Sequence, residues 1–217
     1  MADLAQLRDA IINGNAKAAA AVVDAAIAEG AEPMALIHGY MIPAMDEVGR
    51  RFECEEYFVP ELLLSARAMK AALAPLRPLL TSSGVPPAGK VLIGTVKGDL
   101  HDIGKNLVSS LLEGGGFEVV DLGSDVSPRK FVEAAQSTGA DIIALSALLT
   151  VTMPSMKYTI EALKEVGLRD KVKVIIGGAP VTQQYADQIG ADGYSENATL
   201  AVALARRLMS GARQATA

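Results

Sequence analysis

The chain has 217 residues, 50% of them hydrophobic, and a formal net charge of -5 at pH 7. This length and hydrophobic content suffice for one large domain or for two small ones with buried cores. The acidic balance, without a long Lys/Arg cluster, argues against a nucleic-acid partner, and no uninterrupted apolar run is long enough to span a bilayer.

Residues 1–80 show the apolar spacing of helices in four successive stretches. These stretches are 4–11, 19–27, 34–48 and 62–80. Turn signals around Gly14 and Gly30 separate the first three, Pro60 suits the first turn of the fourth, and we expect Pro43 to kink the third. Short connections between four amphipathic helices favour an antiparallel four-helix bundle.

Residues 81–89 read TSSGVPPAG, a segment rich in Ser, Gly and Pro without apolar periodicity. Such a composition predicts a linker. We therefore expect a helical domain over 1–80 and a second domain over 90–217.

In the second domain, five short apolar runs alternate with helical patterns. The runs cover 91–96, 117–121, 141–147, 172–176 and 192–194. This alternation is typical of right-handed βαβ units in a parallel sheet. The sequence therefore predicts an α/β, flavodoxin-like (Rossmann-like) fold whose five parallel strands have the order 2-1-3-4-5, preceded by the all-α bundle.

Motif-like segments follow the first, third and fourth predicted strands. They contain Asp99, His101 and Gly104; Ser146, Leu148, Thr150 and Thr152; and Gly177 and Gly178. In the predicted strand order these three strand ends lie side by side, at the edge where open α/β sheets bind ligands. We therefore expect one crevice lined by all three segments.

The Asp-x-His-x-x-Gly segment after the first strand suggests metal chemistry. An imidazole can ligate a metal through one nitrogen while a carboxylate two residues away accepts the other N–H, and Asp99 and His101 have that spacing. His38, the other of the two histidines, falls on a predicted helix among methionines, so a zinc site made of protein ligands is disfavoured. A single histidine suits a metal that a macrocycle already holds.

Cys54 is the single cysteine of the chain, which excludes an internal disulfide. The N-terminus shows no charged region followed by an apolar one, as a secretory leader would. We therefore expect a cytoplasmic protein that is not associated with a membrane.

Three segments resemble the cobalamin-binding signature, namely 98–105, 146–148 and 177–178. The helical half resembles the cap domain of methyl-carrying corrinoid proteins. Over nearly its whole length, the chain is similar to the corrinoid proteins of methanogen- or acetogen-type methyltransferase systems. It also resembles the cap and cobalamin modules of cobalamin-dependent methionine synthase.

In that family cobalamin binds base-off and His-on, with a histidine replacing dimethylbenzimidazole on cobalt and the nucleotide tail buried in the α/β domain. The resemblance implies that His101 is the cobalt ligand, that Asp99 is its hydrogen-bonded partner and that Thr152 extends this pair. Further cofactor contacts implied by the resemblance are Gly98, Asp102, Ile103, Gly104, Ser146, Leu148, Thr150, Gly177 and Gly178.

Phe52 and Val59 match the two apolar positions that cover the methyl-bearing face of cobalamin in the methionine synthase cap. The resemblance therefore implies that these two side chains shield the methyl group from water. Their surroundings in sequence are unusual, because residues 52–58 hold three aromatic side chains in a chain with 4% aromatic residues.

The resemblance implies a methyl carrier that does not complete turnover alone. One methyltransferase would load cobalt from a donor such as a methylamine, methanol, an aryl methyl ether or betaine. A second would pass the methyl group to tetrahydrofolate or a thiol. The resemblance is also compatible with a reductive activase as a further partner.

Other functions stay open at this point. Adenosylcobalamin mutases share the Asp-x-His-x-x-Gly signature, although this chain has no room for a substrate barrel and would have to be a cobalamin-binding subunit. Cobalamin-based sensors and regulators also join a helical cap to such a sheet, but the acidic balance and the absence of tryptophan disfavour them. A binding module for a different ligand is the broadest alternative.

Overall fold

The computed structural model describes residues 3–82 and 87–215. The chain folds as two compact units, a helical one and an α/β one. The helical unit comprises Met1–Pro87 and Glu113–Gly116, and the α/β unit comprises Ala88–Leu112 and Phe117–Ala217. Residues 83–86 of the predicted linker lie outside the described residues.

The helical unit contains helices in all four predicted stretches. Its elements are α1 (Leu4–Ile12), α2 (Ala16–Ala28), α3 (Pro33–Leu36), a π-helical turn (Ile37–Met41), α4 (Ile42–Glu53), α5 (Val59–Leu73) and α6 (Arg77–Ser82). The side chains of Asp3 and Asn15 accept hydrogen bonds from peptide N–H groups in the first turns of α1 and α2. Short polar residues at these positions therefore fix where both helices begin.

Two prolines modify the third and fourth predicted helices. Helix α3, the π-helical turn and α4 follow one another without a break, and the turn ends two residues before Pro43. Since proline lacks the N–H that closes an α-turn, the wider turn occurs next to the position where we predicted a kink. The prediction of one continuous fourth helix was wrong, because α5 ends at Leu73 and α6 begins at Arg77. Pro75 between them cannot continue the helical hydrogen bonds.

The carbonyl oxygen of Ile12, at the end of α1, accepts two side-chain hydrogen bonds. The hydroxyl of Ser65, which is buried in α5, donates at 2.9 Å. The hydroxyl of Tyr57, in the connection between α4 and α5, donates at 3.2 Å. These bonds join three parts of the helical unit at one buried peptide group.

Removing either hydroxyl alone is expected to destabilise the protein modestly, because the Ile12 carbonyl keeps one donor. Ser65→Ala should lower the free energy of unfolding by about 1 kcal/mol and Tyr57→Phe by less, whereas the double variant should lose more than their sum. Urea unfolding of the wild type, both single variants and the double variant measures this coupling. Additivity to within about 0.3 kcal/mol would show that the two hydroxyls do not share the carbonyl in solution.

A five-stranded parallel sheet forms the centre of the α/β unit, and its order in the described residues is β2-β1-β3-β4-β5. The strands are β1 (Lys90–Thr95), β2 (Glu118–Asp121), β3 (Ile142–Ser146), β4 (Lys173–Gly177) and β5 (Gly193–Ser195). The helices are α7 (Ile103–Gly114), α8 (Pro128–Thr138), α9 (Pro154–Glu165), α10 (Gln183–Ile189) and α11 (Ala198–Ala215). The flavodoxin-like sheet and its strand order are thereby confirmed. No helix within the described ranges has the length and hydropathy needed to cross a membrane.

Helices cover both faces of the sheet. The side chains of Leu92 and Ile143 belong to a core with α8, α9 and α10, and those of Val91 and Ile142 belong to a core with α7 and α11. Because successive side chains of a strand point to opposite faces, a strand buried on both faces is an uninterrupted apolar run. That pattern is the one from which the sheet was predicted.

The carboxyl ends of four strands are aligned in the sheet. Thr95 of β1 pairs with Ser146 of β3, which pairs with Gly177 of β4, which in turn pairs with Ser195 of β5. The loops that follow β1, β3 and β4 therefore start side by side. This register brings the three predicted motif segments to one edge of the α/β unit.

Candidate functional site

The β1–α7 loop, residues 96–102, carries Asp99 and His101. Its turn passes through Gly98, whose φ of +86° lies in the left-handed region that favours glycine. The peptide N–H of His101 donates to Oδ1 of Asp99 at 3.1 Å. The hydroxyl of buried Thr95 donates to the carbonyl oxygen of His101 at 3.0 Å. The backbone of His101 is thus held on both sides of its Cα.

The side chains of Asp99 and His101 form a hydrogen bond of 2.7 Å between Oδ1 and Nδ1. An ionised carboxylate can only accept hydrogen bonds, so Nδ1 is the donor in this contact, and in the neutral form of the ring Nε2 keeps its lone pair. Asp99 is fully buried, whereas the side chain of His101 is 50% exposed. The pair therefore leaves one ring nitrogen accessible and able to ligate a metal, with the tautomer set by the carboxylate.

Oδ2 of Asp99 accepts three hydrogen bonds from the β3–α9 loop. The donors are the hydroxyl of Thr152 at 2.7 Å and the peptide N–H groups of Leu148 at 2.8 Å and Leu149 at 3.2 Å. Burial raises the pKa of Asp99, but the hydrogen bonds from Thr152 and from peptide N–H groups outweigh it and hold the pKa well below its usual range. Asp99 is therefore an anion at neutral pH, and it ties the loops after β1 and β3 together.

The three predicted glycines at the strand ends have different surroundings. A Cβ on Gly178, whose φ is +125°, would lie 1.9 Å from the carbonyl oxygen of Ala147, so the packing of the chain itself requires glycine there. A Cβ on Gly177 would lie 3.2 Å from the carbonyl oxygen of Ser195. Apart from its two chain neighbours and the backbone of its own helix, no atom of the described residues lies within 4 Å of the position that a Cβ on Gly104 would take. The start of α7 therefore borders open space.

The remaining predicted contacts of the α/β unit lie on the same loops. Ser146 ends β3 and is half-buried, while Leu148 and Thr150 are exposed in the β3–α9 loop. Asp102 and Ile103 are exposed where the β1–α7 loop becomes helical. These positions leave both hydrophobic and hydroxyl groups accessible on the two loops that Asp99 joins.

The β1–α7 loop, the first residue of α7 and the β3–α9 loop together expose five large apolar side chains. They are Leu100 (73% exposed), Ile103 (83%), Leu148 (43%), Leu149 (41%) and Val151 (81%). Several large apolar side chains exposed on neighbouring segments are typical of a surface that binds a ligand or a partner. We did not identify Leu100, Leu149 and Val151 from sequence, although apolar residues inside turn segments were an available signal.

These features fit a flat, largely apolar macrocycle that brings its own metal and needs one protein ligand. One imidazole nitrogen is available, apolar side chains flank it in sequence, and open space borders Gly104. Within residues 3–82 and 87–215, no group of three or more His, Cys, Asp or Glu side chains could hold a metal ion by itself. The single ring nitrogen of the His101–Asp99 pair fits the one protein ligand that such a cofactor needs.

Phe52 and Val59 belong to the helical unit. Phe52 is half-buried in the last turn of α4, and Val59 is exposed as the first residue of α5. The guanidinium of Arg51 lies 5.2 Å from the centroid of the Tyr57 ring and donates to the Tyr57 hydroxyl at 3.1 Å and to Glu47 at 2.8 Å. These contacts stabilise the connection that joins Phe52 to Val59. The role of Phe52 and Val59 in shielding the methyl group stays a prediction.

Two family models match the chain, and each is described as a B12 binding domain. One matches residues 89–203, which contain the sheet and the Asp99–His101 pair. The other matches residues 3–77 of the helical unit. Together they cover most of both units.

The chain is similar to several curated proteins and solved structures. It is 49% identical to the dimethylamine corrinoid protein of Methanosarcina barkeri, covering 95% of this chain and 97% of that one. It is 44% identical to trimethylamine corrinoid protein 1 of Methanosarcina acetivorans, covering 95% and 96% of the two chains. A novel cobalamin-binding protein from Desulfitobacterium hafniense superposes with a TM-score of 0.81 and 36% identity, covering 96% and 99%. A chain of the methanol:cobalamin methyltransferase complex from Methanosarcina barkeri superposes with a TM-score of 0.81 and 31% sequence identity. The match covers 96% of this chain and 80% of that one.

Proposed function

Because the chain belongs to the B12-binding corrinoid proteins, we propose that it carries a methyl group on the cobalt of a bound corrinoid between two methyltransferases. The observation that supports this most directly is the hydrogen bond between Nδ1 of His101 and Asp99, which leaves Nε2 with its lone pair. When bound, the corrinoid supplies the metal that accepts and releases the methyl group. The chain supplies the axial ligand, a fixed site and the surfaces that partner enzymes recognise.

In this proposal His101 is the lower axial ligand through Nε2, and the corrinoid binds base-off and His-on. The anionic carboxylate of Asp99 favours the tautomer with hydrogen on Nδ1 and makes Nε2 a better electron donor. The hydroxyl of Thr152 donates to Asp99 and helps to keep that carboxylate ionised and in place. The three residues therefore set both the position and the basicity of the ligand.

The nucleotide tail of the corrinoid is proposed to enter the α/β unit at the aligned strand ends. Open space at the Cβ position of Gly104 supports this, because Gly104 itself has no side chain to fill that space at the start of α7. Ser146 and Thr150 offer hydroxyl groups for polar atoms of the tail, and Gly177 presents its backbone at the end of β4 beside them. The exposed apolar side chains of both loops suit the corrin ring.

Phe52 and Val59 are proposed to shield the methyl-bearing face of the cofactor. Apolar side chains exclude water from a reactive group without competing as ligands. The contacts of Arg51 with Glu47 and Tyr57 support this role, because they hold the segment that carries both apolar residues in one conformation.

The proposed partner on the donor side is a methylamine:corrinoid methyltransferase. Two of the relatives are named for dimethylamine and trimethylamine, which favours a methylamine over methanol or an aryl methyl ether as the methyl source. The acceptor-side partner is a second methyltransferase that acts toward tetrahydrofolate or a thiol. A reductive activase that restores the cobalt oxidation state is proposed as a further partner.

Loading and transfer assays test the carrier function. The purified chain should retain about one corrinoid per polypeptide after incubation with hydroxocobalamin and gel filtration. With a reductant and a dimethylamine methyltransferase, radiolabel from dimethylamine should appear on the loaded chain, and it should leave when an acceptor enzyme and thiol are added. Parallel assays with trimethylamine and methanol enzymes identify the donor. A chain that retains corrinoid but is methylated in none of them would contradict the carrier function.

A further inference from the structure

Asp125 lies in the connection between β2 and α8 and has a φ of +54°, a region that side chains other than glycine rarely adopt. Aspartate tolerates this conformation better than most residues. Strain of this kind persists where surrounding contacts fix it, and it is often found beside functional sites. The contacts of Asp125 lead directly to the loop that carries Asp99 and His101.

Asp125 binds the backbone of that loop on both sides of the Asp99 Cα. Its Oδ1 accepts a hydrogen bond of 2.8 Å from the peptide N–H of Gly98. Its own peptide N–H donates to the carbonyl oxygen of Asp99 at 2.9 Å. The ammonium group of Lys97 lies 2.9 Å from the same Oδ1, although the Lys97 side chain is 57% exposed. Asp125 therefore binds the Lys97–Gly98 peptide unit before Asp99 and the Asp99–Leu100 peptide unit after it.

The backbone around Asp125 extends the sheet beyond the end of β1. The peptide N–H of Thr95 donates to Gly123, and the peptide N–H of Val126 donates to Thr95, each at 2.9 Å. Val96 and Val126 form a parallel bridge. These bonds place residues 123–126 alongside the end of β1 and the start of the β1–α7 loop, so Asp125 makes its contacts from a segment that is hydrogen-bonded to the sheet.

Asp99 is consequently held from two directions. The β3–α9 loop binds its carboxylate through Thr152 and two peptide N–H groups, whereas Asp125 binds its backbone. Gly98 immediately precedes Asp99 and has a positive φ, and the carboxylate of Asp125 accepts the hydrogen bond of its peptide N–H.

We propose that Asp125 is a positioning residue that holds Asp99, and through it the imidazole of His101, in the orientation needed for cobalt ligation. This inference rests on the proposed role of His101 as the cobalt ligand. A loop that is already ordered before the cofactor arrives does not have to be ordered on binding, so Asp125 favours ligation by pre-organisation. The residue does not itself touch the cofactor in this account.

Three variants separate the contributions of Asp125. Asp125→Gly suits the positive φ and removes the carboxylate, so backbone strain does not obscure its effect. Asp125→Asn keeps an oxygen that can accept from Gly98, and asparagine tolerates the same backbone conformation. Lys97→Met is the matched control, because it removes a largely exposed ion pair and leaves the backbone contacts in place.

Nuclear magnetic resonance of the cofactor-free protein gives the first readout. In Asp125→Gly, the amide hydrogen of Gly98 should exchange about tenfold faster than in the wild type, as expected for a lost hydrogen bond. Long-range proton–nitrogen spectra should show His101 changing from the Nδ1–H tautomer to a mixture of both. Asp125→Asn and Lys97→Met should behave like the wild type. An Asp125→Gly protein with unchanged Gly98 exchange and an unchanged His101 tautomer would overturn the proposal.

If circular dichroism shows that Asp125→Gly does not fold, amide exchange of the wild type still tests the proposal. Under the proposal, the amide hydrogens of Gly98 and His101 are released by one opening of the loop, so both should be protected to a similar degree. A Gly98 amide that exchanges as fast as an unprotected one beside a protected His101 would overturn the proposal.

Electron paramagnetic resonance of the Co(II)-loaded proteins gives the second readout. The fraction of cobalt that shows nitrogen coupling should fall at least about tenfold in Asp125→Gly and recover in Asp125→Asn, within the range known for residues that orient a metal ligand. Equal nitrogen coupling in the wild type and Asp125→Gly would overturn the proposal. A wild type without nitrogen coupling would instead contradict His101 as the ligand, and the cofactor-free spectra would still report whether Asp125 positions Asp99.

Discussion

Asparagine in place of Asp99 is expected to lower corrinoid affinity about 10- to 100-fold and to remove nitrogen coordination from most of the bound cobalt. The Oδ2 position receives three donors from the β3–α9 loop, so the carbonyl oxygen of the asparagine should occupy it. The amide NH2 then faces Nδ1 of His101 and donates to it, which moves the ring proton to Nε2. A protonated Nε2 has no lone pair for cobalt.

Spectra of Co(II)-loaded wild type and Asp99→Asn measure the loss of coordination. Asp170→Asn is the matched control, because Asp170 is an exposed carboxylate of the same unit. Nitrogen coupling of equal strength in Asp99→Asn and the wild type would contradict the assignment of the His101 tautomer.

The same pair of proteins should differ in how their stability depends on pH. Burial raises the pKa of Asp99, but its hydrogen bonds lower that pKa by more than burial raises it, so the net shift is a decrease. A carboxyl group with a lowered folded-state pKa contributes stability that is present above its ordinary pKa of about 4 and is lost as the pH falls toward the folded-state value. The stability advantage of the wild type over Asp99→Asn should therefore shrink from about pH 5 to about pH 3 in urea unfolding. An advantage that stays constant would show that Asp99 is not bound as an anion.

Alanine in place of Gly178 is expected to prevent folding of the α/β unit or to lower the free energy of unfolding by more than about 3 kcal/mol. The added Cβ would lie 1.9 Å from the carbonyl oxygen of Ala147, and the φ of +125° is outside the range of alanine. The clash is between a Cβ and a backbone carbonyl oxygen, neither of which can rotate away as the end of a long side chain can. The backbone directly after β3 or β4 would therefore have to move.

Gly139→Ala is the control for the effect of positive φ alone. Gly139 ends α8 with a φ of +63°, and its Cβ position meets no atom of the described chain within 4 Å. Alanine there should lower the free energy of unfolding by about 1 to 2 kcal/mol. If Gly178→Ala costs no more than Gly139→Ala in urea unfolding, the close approach of Gly178 to Ala147 is not present in solution.

The sheet was predictable because its physical causes lie within short segments. Strands buried on both faces must be apolar throughout, and the alternation of such runs with helical patterns leaves few topologies. Pro75 was an available sequence signal for the break in the fourth helix, but our prediction rested on the regular apolar spacing that continues across it. The π-helical turn before Pro43 depends on how the chain relaxes around the proline, which apolar spacing does not report.

In the candidate site, the predictable contact is the local one. Asp99 and His101 are two residues apart, and a carboxylate can reach the ring nitrogen within one loop. The contact between Asp125 and Gly98 spans 27 positions and depends on a left-handed backbone conformation, for which the sequence carries no separate signal. The peptide N–H of Leu149 binds Asp99 across 50 positions, and backbone groups are identical in every residue. Such contacts become visible through tertiary structure alone.

The central claim is that Nε2 of His101 is the lower ligand of cobalt in a base-off corrinoid. Electron paramagnetic resonance of the Co(II) protein tests it directly when the protein is labelled with ¹⁵N-histidine and the cofactor contains ¹⁴N. The account predicts that each cobalt line is split into two by one ¹⁵N nucleus, that His101→Ala loses this splitting, and that His38→Ala keeps it. A threefold ¹⁴N splitting that is unchanged in His101→Ala would mean that the cofactor keeps its own base on cobalt, and it would contradict the account.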